Sequence, residues 1–186
     1  YTDPRGADQP VRAGEDALLW VRGSVFGSET AGGYRSRDRT VPLASYCAER
    51  YERRGRSFVA GLNGDFVGVL YDRAAGTASV FTDRLGLRDV YHTRTEGGSL
   101  AFSTRVQSLS RHPGVTPAFD PELVVEYLGC GFRTFGLTTP LAETRLFPPG
   151  AVTTVDLDTL GRSVRSYWEP VYDPDDVPFA TTLDRF

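Results

Sequence analysis

The stretch LNGDFVGVLYDRAAGTASVFTDRLGLRDVY, residues 62–91, decides the fold. Residues 66–71 and 77–82 are runs of β-branched and aromatic side chains, and the breakers Asp72, Arg73, Ala74, Ala75 and Gly76 between them predict a hairpin. A second breaker, Asp83 to Gly86, leads into Asp89-Val-Tyr-His92. Thr95-Glu-Gly-Gly98 then turns the chain into Leu100-Ala-Phe102. The pattern predicts a four-strand antiparallel meander closed by Gly- and Asp-rich turns.

Upstream, residues 1–16 are polar and punctuated by Gly6, Pro10 and Gly14. Residues 17–21, ALLWV, read as a buried strand that ends at Arg22-Gly23-Ser24; Val25-Phe26 forms a second short apolar piece, and residues 27–39 a polar loop. Leu43, Tyr46, Cys47 and Tyr51 follow Pro42 at helical spacing, and Gly55 stops that helix. Its opposite side, Glu49, Arg50, Glu52, Arg53 and Arg54, reads as a solvated charged face.

Downstream, Ser103 or Thr104 can cap a short helix ending near Leu109. Asp120-Pro121-Glu122 supplies a cap, a first-turn proline and a first-turn acid. The helix they open carries Leu123, Val124, Tyr127 and Leu128 on one face and ends at Gly129 and Gly131. Residues 132–145 read as loop and short strand, Phe147-Pro-Pro-Gly150 as a turn, and residues 151–156 with 163–168 as a last hairpin. Three prolines and four aspartates give residues 169–186 the composition of a linker.

The chain of 186 residues is long enough for one domain with a real core, and its 40% hydrophobic and 12% aromatic content is that of a globular protein. A formal charge of −3 argues against a nucleic-acid partner, and no apolar run or leader pattern points to a membrane. Cys47 and Cys130 form no framework, so we expect two reduced, buried thiols and a cytoplasmic protein. With only His92 and His112 beside them, no metal site is expected. All 21 basic residues are arginine, which excludes a lysine nucleophile, a Schiff base or a P-loop lysine within these residues. His92 has no nucleophile beside it in sequence and is not expected to act as a base.

The sequences LNGDF, LYD, TDRLGLRDVY and LAFST, followed by Pro-Pro-Gly and a terminal YW, resemble the second half of the glutaminase domain of the asparagine synthetase family, over about residues 8–170. The resemblance implies an α+β fold, a sandwich of antiparallel β-sheets with flanking helices of the N-terminal-nucleophile-hydrolase kind, whose start lies outside this chain. It divides the chain into a partial glutaminase-like domain, residues 1–168, and a linker, residues 169–186, toward a downstream ATP-dependent synthetase domain. ATP and Mg would belong to that domain, and no cofactor is expected in this one. In the family an N-terminal cysteine attacks the glutamine amide, its own α-amino group serves as base, and ammonia passes to the ligase domain. Tyr1 cannot do this, and the chain has no methionine. The nucleophile strand is expected upstream of Tyr1; a family member without one is the alternative.

The family's Asn-Gly-Glu falls on Arg22-Gly23-Ser24. The resemblance makes the Gly23 N–H an oxyanion-hole candidate, with Arg22 in place of the asparagine that gives the second donor. Ser24 replaces a glutamate that binds the substrate ammonium, and Asp38 falls where an aspartate binds the same group. Asn63, Asp83 and Arg84 also match, and read as turn and packing determinants.

Two functions follow as expectations. The chain is part of an asparagine-synthetase-like amidotransferase, serving asparagine biosynthesis, that binds glutamine and supplies ammonia. Alternatively it is a degenerate glutaminase-like domain that docks and positions an amide ligase, as in relatives that close β-lactam or lasso-peptide rings. Arg22 and Ser24 favour the second, Gly23 and Asp38 the first. Exposed strand edges lead us to expect a homo-oligomer.

Overall fold

The computed structural model describes residues 9–131 and 136–172. Ten strands form two antiparallel sheets. They are β1 (Val11–Arg12), β2 (Ala17–Thr30), β3 (Gly33–Ser36), β4 (Leu62–Asp72), β5 (Thr77–Thr82), β6 (Tyr91–Arg94), β7 (Leu100–Ser103), β8 (Arg145–Leu146), β9 (Ala151–Asp156) and β10 (Arg162–Ser166). The larger sheet has the order β1-β2-β4-β5-β9-β10, with β3 paired to β2; the smaller is β7-β6-β8. The helices are α1 (Leu43–Arg54), followed by a 3₁₀ segment Gly55–Gly61, α2 (Val106–Ser110) and α3 (Pro121–Cys130).

The hairpin of β4 and β5 is as the sequence predicts, with Val67 opposite Thr82 and Asp72 opposite Thr77. The four-strand meander is not formed. The outer neighbour of β5 is β9, while β6 pairs with β7 and β8 in the other sheet. The reason is the turn at Asp83, whose carboxylate accepts from the N–H groups of Leu85 and Leu87 at 3.0 and 3.1 Å. This compact turn diverts the chain out of the first sheet before β6 begins.

Alternation along the strands makes the large sheet two-sided. Leu19, Val21, Phe66, Leu70 and Phe81 pack against Cys47, Ala48, Phe58 and Val59 from α1 and the 3₁₀ segment. On the opposite face Val67 and Val80 meet Val90 and Phe147, which belong to the layer of the small sheet. The result is an α+β sandwich with α1 covering one side of the larger sheet and the smaller sheet the other.

Four local expectations need correction. The strand expected over residues 17–21 is part of a 14-residue strand that continues to Thr30, because β4 pairs with it from Ala17 to Ser28 and β3 from Gly27 to Thr30. Arg50 is not on a solvated face: its Nη2 donates to the Tyr46 hydroxyl at 2.6 Å and its guanidinium lies 4.3 Å from the centre of that ring. The first turn of α2 has no side-chain cap, since the Ser103 hydroxyl oxygen accepts instead from Arg105 N–H. Of the two cysteines only Cys47 is buried; Cys130 is exposed at the end of α3, and both are free thiols.

The Asp120 cap on α3 is present, accepting from Glu122 and Leu123 N–H. Its apolar face is covered only in part among the described residues: Leu123 and Val124 are half-buried, while Tyr127 and Leu128 are 50% and 77% exposed. Residues 132–135, within the expected loop 132–145, and residues 173–186, most of the expected linker, lie outside the described residues. No helix among the described residues is long and apolar enough to cross a membrane.

His92 sits between the sheets, with its ring centre 4.7 Å from that of Phe147 and Nε2 3.1 Å from Arg162 Nη1. Burial, aided by Arg162 and Arg145, lowers its pKa from 6.5 to about 4. A depressed folded pKa gives stability that is present above the unfolded value and lost as pH falls. Between pH 6.5 and about pH 4 the protein therefore loses more stability than a His92→Gln variant does. Urea unfolding of both across that window checks this, and parallel curves contradict it.

Candidate functional site

Arg22, Gly23 and Ser24 do not end the strand. They lie within β2, opposite Val67, Phe66 and Asp65 of β4. Alternation places Arg22 and Ser24 on an exposed face between Trp20 and Phe26, which are 36% and 49% exposed. What is unusual is Gly23, whose φ is +117° within a strand. A Cβ there would lie 2.1 Å from Asp65 O and 2.6 Å from Arg88 Nε, so no other residue fits this backbone without moving β4.

The groups pressing on Gly23 are themselves tied together. Asp65 Oδ1 accepts from Ser24 N–H at 3.0 Å, and Asp65 Oδ2 from Arg88 Nη2 at 2.8 Å. Arg88 Nε donates to the Asp65 carbonyl at 3.1 Å. One arginine thus grips both the backbone and the side chain of the residue that faces Ser24.

The other edge of β2 is discontinuous at the same place. The side chain of Gln9 acts as a strand neighbour for Val21, accepting from its N–H and donating to its carbonyl, both at 2.9 Å. Arg37 Nε donates to Val25 O at 3.0 Å and Arg37 N–H to Phe26 O at 2.8 Å. In an antiparallel strand every second residue directs its N–H and C=O to the same side. The Gly23 N–H therefore faces the interval between Gln9 and Arg37.

Asp38 is exposed, and its Oδ1 accepts from both the Thr40 hydroxyl and the Thr40 N–H, at 2.7 and 2.9 Å. These bonds, the hydroxyl first, lower its pKa and hold it ionised. Arg37 fastens this loop to β2 beyond Ser24, so the structure brings Asp38 toward the same strand edge but binds its carboxylate within the loop. Both bonds fall on Oδ1, which among the described residues leaves Oδ2 the oxygen open to another donor.

Sequence reasoning missed Asp65, Arg88, Gln9 and Arg37. Asp65 and Arg88 stand inside the quoted stretch 62–91, yet only the pairing of β4 with β2 shows that they meet Gly23. Arg84, a matched residue, donates to Glu29 at 2.7 Å across the end of the sheet, which agrees with a packing role. Neither Cys47 nor His92 is a nucleophile or base for this site. Burial pushes the Cys47 thiol up to about 12, and His92 is enclosed between the sheets.

The fold is an α+β sandwich of two antiparallel sheets. The model of the glutamine amidotransferase domain family matches residues 5–168, and the chain belongs to that family. Among solved structures it is similar to the glutamine phosphoribosylpyrophosphate (PRPP) amidotransferase of B. subtilis, determined with ADP and GMP. The TM-score is 0.51 at 11% identity, over 90% of this chain and 31% of that protein. This chain therefore spans about a third of that protein's length. A search of curated proteins gives no match.

Gly23→Ala tests the close approach directly. We expect a loss of at least about 2 kcal/mol of unfolding free energy, from the positive φ and the contact with Asp65 O together. An alanine variant of unchanged stability in chemical denaturation contradicts the geometry at this position.

Proposed function

We propose that this chain is the glutaminase domain of an amide-forming ligase similar to asparagine synthetase, in which ammonia taken from glutamine passes to an ATP-dependent synthetase domain of the same protein. Family membership supports glutamine as the substrate. The observation that carries the reading is the Gly23 peptide, a backbone donor at an interrupted strand edge, on the residue where the resemblance puts one oxyanion donor.

In this reading the nucleophile is the family's N-terminal cysteine on an upstream strand. The Gly23 N–H and the Arg22 guanidinium stabilise the oxyanion that forms on the glutamine carboxamide. Ser24 and Asp38 receive the substrate ammonium, Asp38 through the Oδ2 that Thr40 leaves open. ATP and Mg act in the synthetase domain, where the acceptor is also chosen.

A second reading is favoured by one feature. The positions of two family side chains are held by the exposed Arg22 and Ser24, and the acid facing Ser24, Asp65, is neutralised by Arg88. That site has fewer groups for an ammonium, as in a domain kept only to dock a ligase.

The full-length protein decides between them. We expect it to release ammonia from L-glutamine, and the chain beginning at Tyr1 to release none. A full-length protein inert toward glutamine that still forms an amide from free ammonia or an internal amine overturns the glutaminase reading and establishes the docking one.

A further inference from the structure

We propose that Asp65, held by Arg88, is the positioning residue of the Gly23 peptide, setting the direction in which its N–H points. This rests on the reading of Gly23 as an oxyanion donor.

The argument is geometric. A glycine free to take any φ does not by itself hold φ +117°; something must select it. The space a Cβ would take at Gly23 is filled by the Asp65 carbonyl, Arg88 Nε and Phe66 Cα. The Asp65 carbonyl is fixed by Arg88 Nε at 3.1 Å, and the Asp65 carboxylate fixes the next peptide by accepting from Ser24 N–H at 3.0 Å. Both restraints flank Gly23, and both pass through the Asp65–Arg88 pair.

The pair is built for orientation more than for net attraction. Arg88 and Asp65 side chains are 35% and 31% exposed, a range in which an ion pair adds little stability. The guanidinium fork is what matters, because it grips a carbonyl and a carboxylate of one residue at once. Neither side chain needs to touch glutamine. An N–H that donates to an oxyanion must point at where that oxygen will be, so a small rotation of this peptide weakens the transition state and leaves substrate binding nearly intact.

The test uses the full-length protein with Asp65→Asn, Arg88→Lys and the double variant. For glutamine hydrolysis we expect kcat to fall about 10- to 100-fold in each single variant, below the 10²–10³ typical of losing a donor outright, with KM changed less than about twofold. The double variant falls no further than the worse single one, since the pair acts as a unit. Unchanged kcat, or kcat lost in step with the melting temperature, overturns the proposal. Should the wild-type protein not hydrolyse glutamine, the glutaminase reading fails and the positioning claim is read by amide exchange. It then requires faster exchange at Ser24, whose N–H Asp65 accepts, in Asp65→Asn with Leu19 and Val21 unchanged; no local difference overturns it.

Discussion

A buried carboxylate at the point where the chain changes sheets is the constraint on which the rest depends. Asp83 is 1% exposed and every polar group it owns is occupied. Its N–H donates to Phe66 O at 2.9 Å, its carbonyl accepts from Gly86 and Gly150 N–H, and its carboxylate accepts from Leu85 and Leu87 N–H. Each buried N–H left without such a partner costs about 1–3 kcal/mol, so the turn holds as a unit or fails as one. Through Gly150 it also joins the last hairpin. Gly150 has φ +58° and a Cβ there would lie 2.6 Å from Trp168 O, while its carbonyl accepts from Tyr167 and Trp168 N–H. The TDRLG, Pro-Pro-Gly and YW sequences are thereby one structural unit.

The same turn delivers function. Residues 83–88 leave β5 on the far side of β4 from β2, and the turn brings Arg88 back over β4 to reach Asp65 beside Gly23. Arg84, in the middle of the turn, reaches Glu29 at the end of β2. The candidate site is therefore held by β2 and β4 from below and by the Asp83 turn from the side. A rigid strand pair and a rigid turn are a better mount for a backbone donor than a free loop.

Much of this was legible in sequence because the signals were local. Asp72–Gly76 gave the β4–β5 hairpin, Asp120-Pro121 the start of α3, and Gly55 the end of α1. What failed was non-local. The local pattern shows that a strand follows the Asp83 turn, which the structure places at Tyr91–Arg94, and not which sheet receives it, so a meander is predicted through a turn that instead changes layers. The apolar run 17–21 stopped at Arg22 because outward-facing polar residues look like a strand end, although alternation continues through Ser24 to Val25. Gly23 was recognisable as a site residue by resemblance. The groups that bend it, Asp65 and Arg88, lie 42 and 65 positions further on and are found only through the register of two strands.

Native-state hydrogen exchange at the Asp83 turn tests the account at its centre. If the turn is the joint of the two sheets, the amides of Leu85, Leu87 and Gly150 exchange as slowly as those of β4 and β5, opening only with the whole domain. Exchange of these three amides at loop rates, while the strands stay protected, would show that the sheets hold together without the turn and would contradict the account.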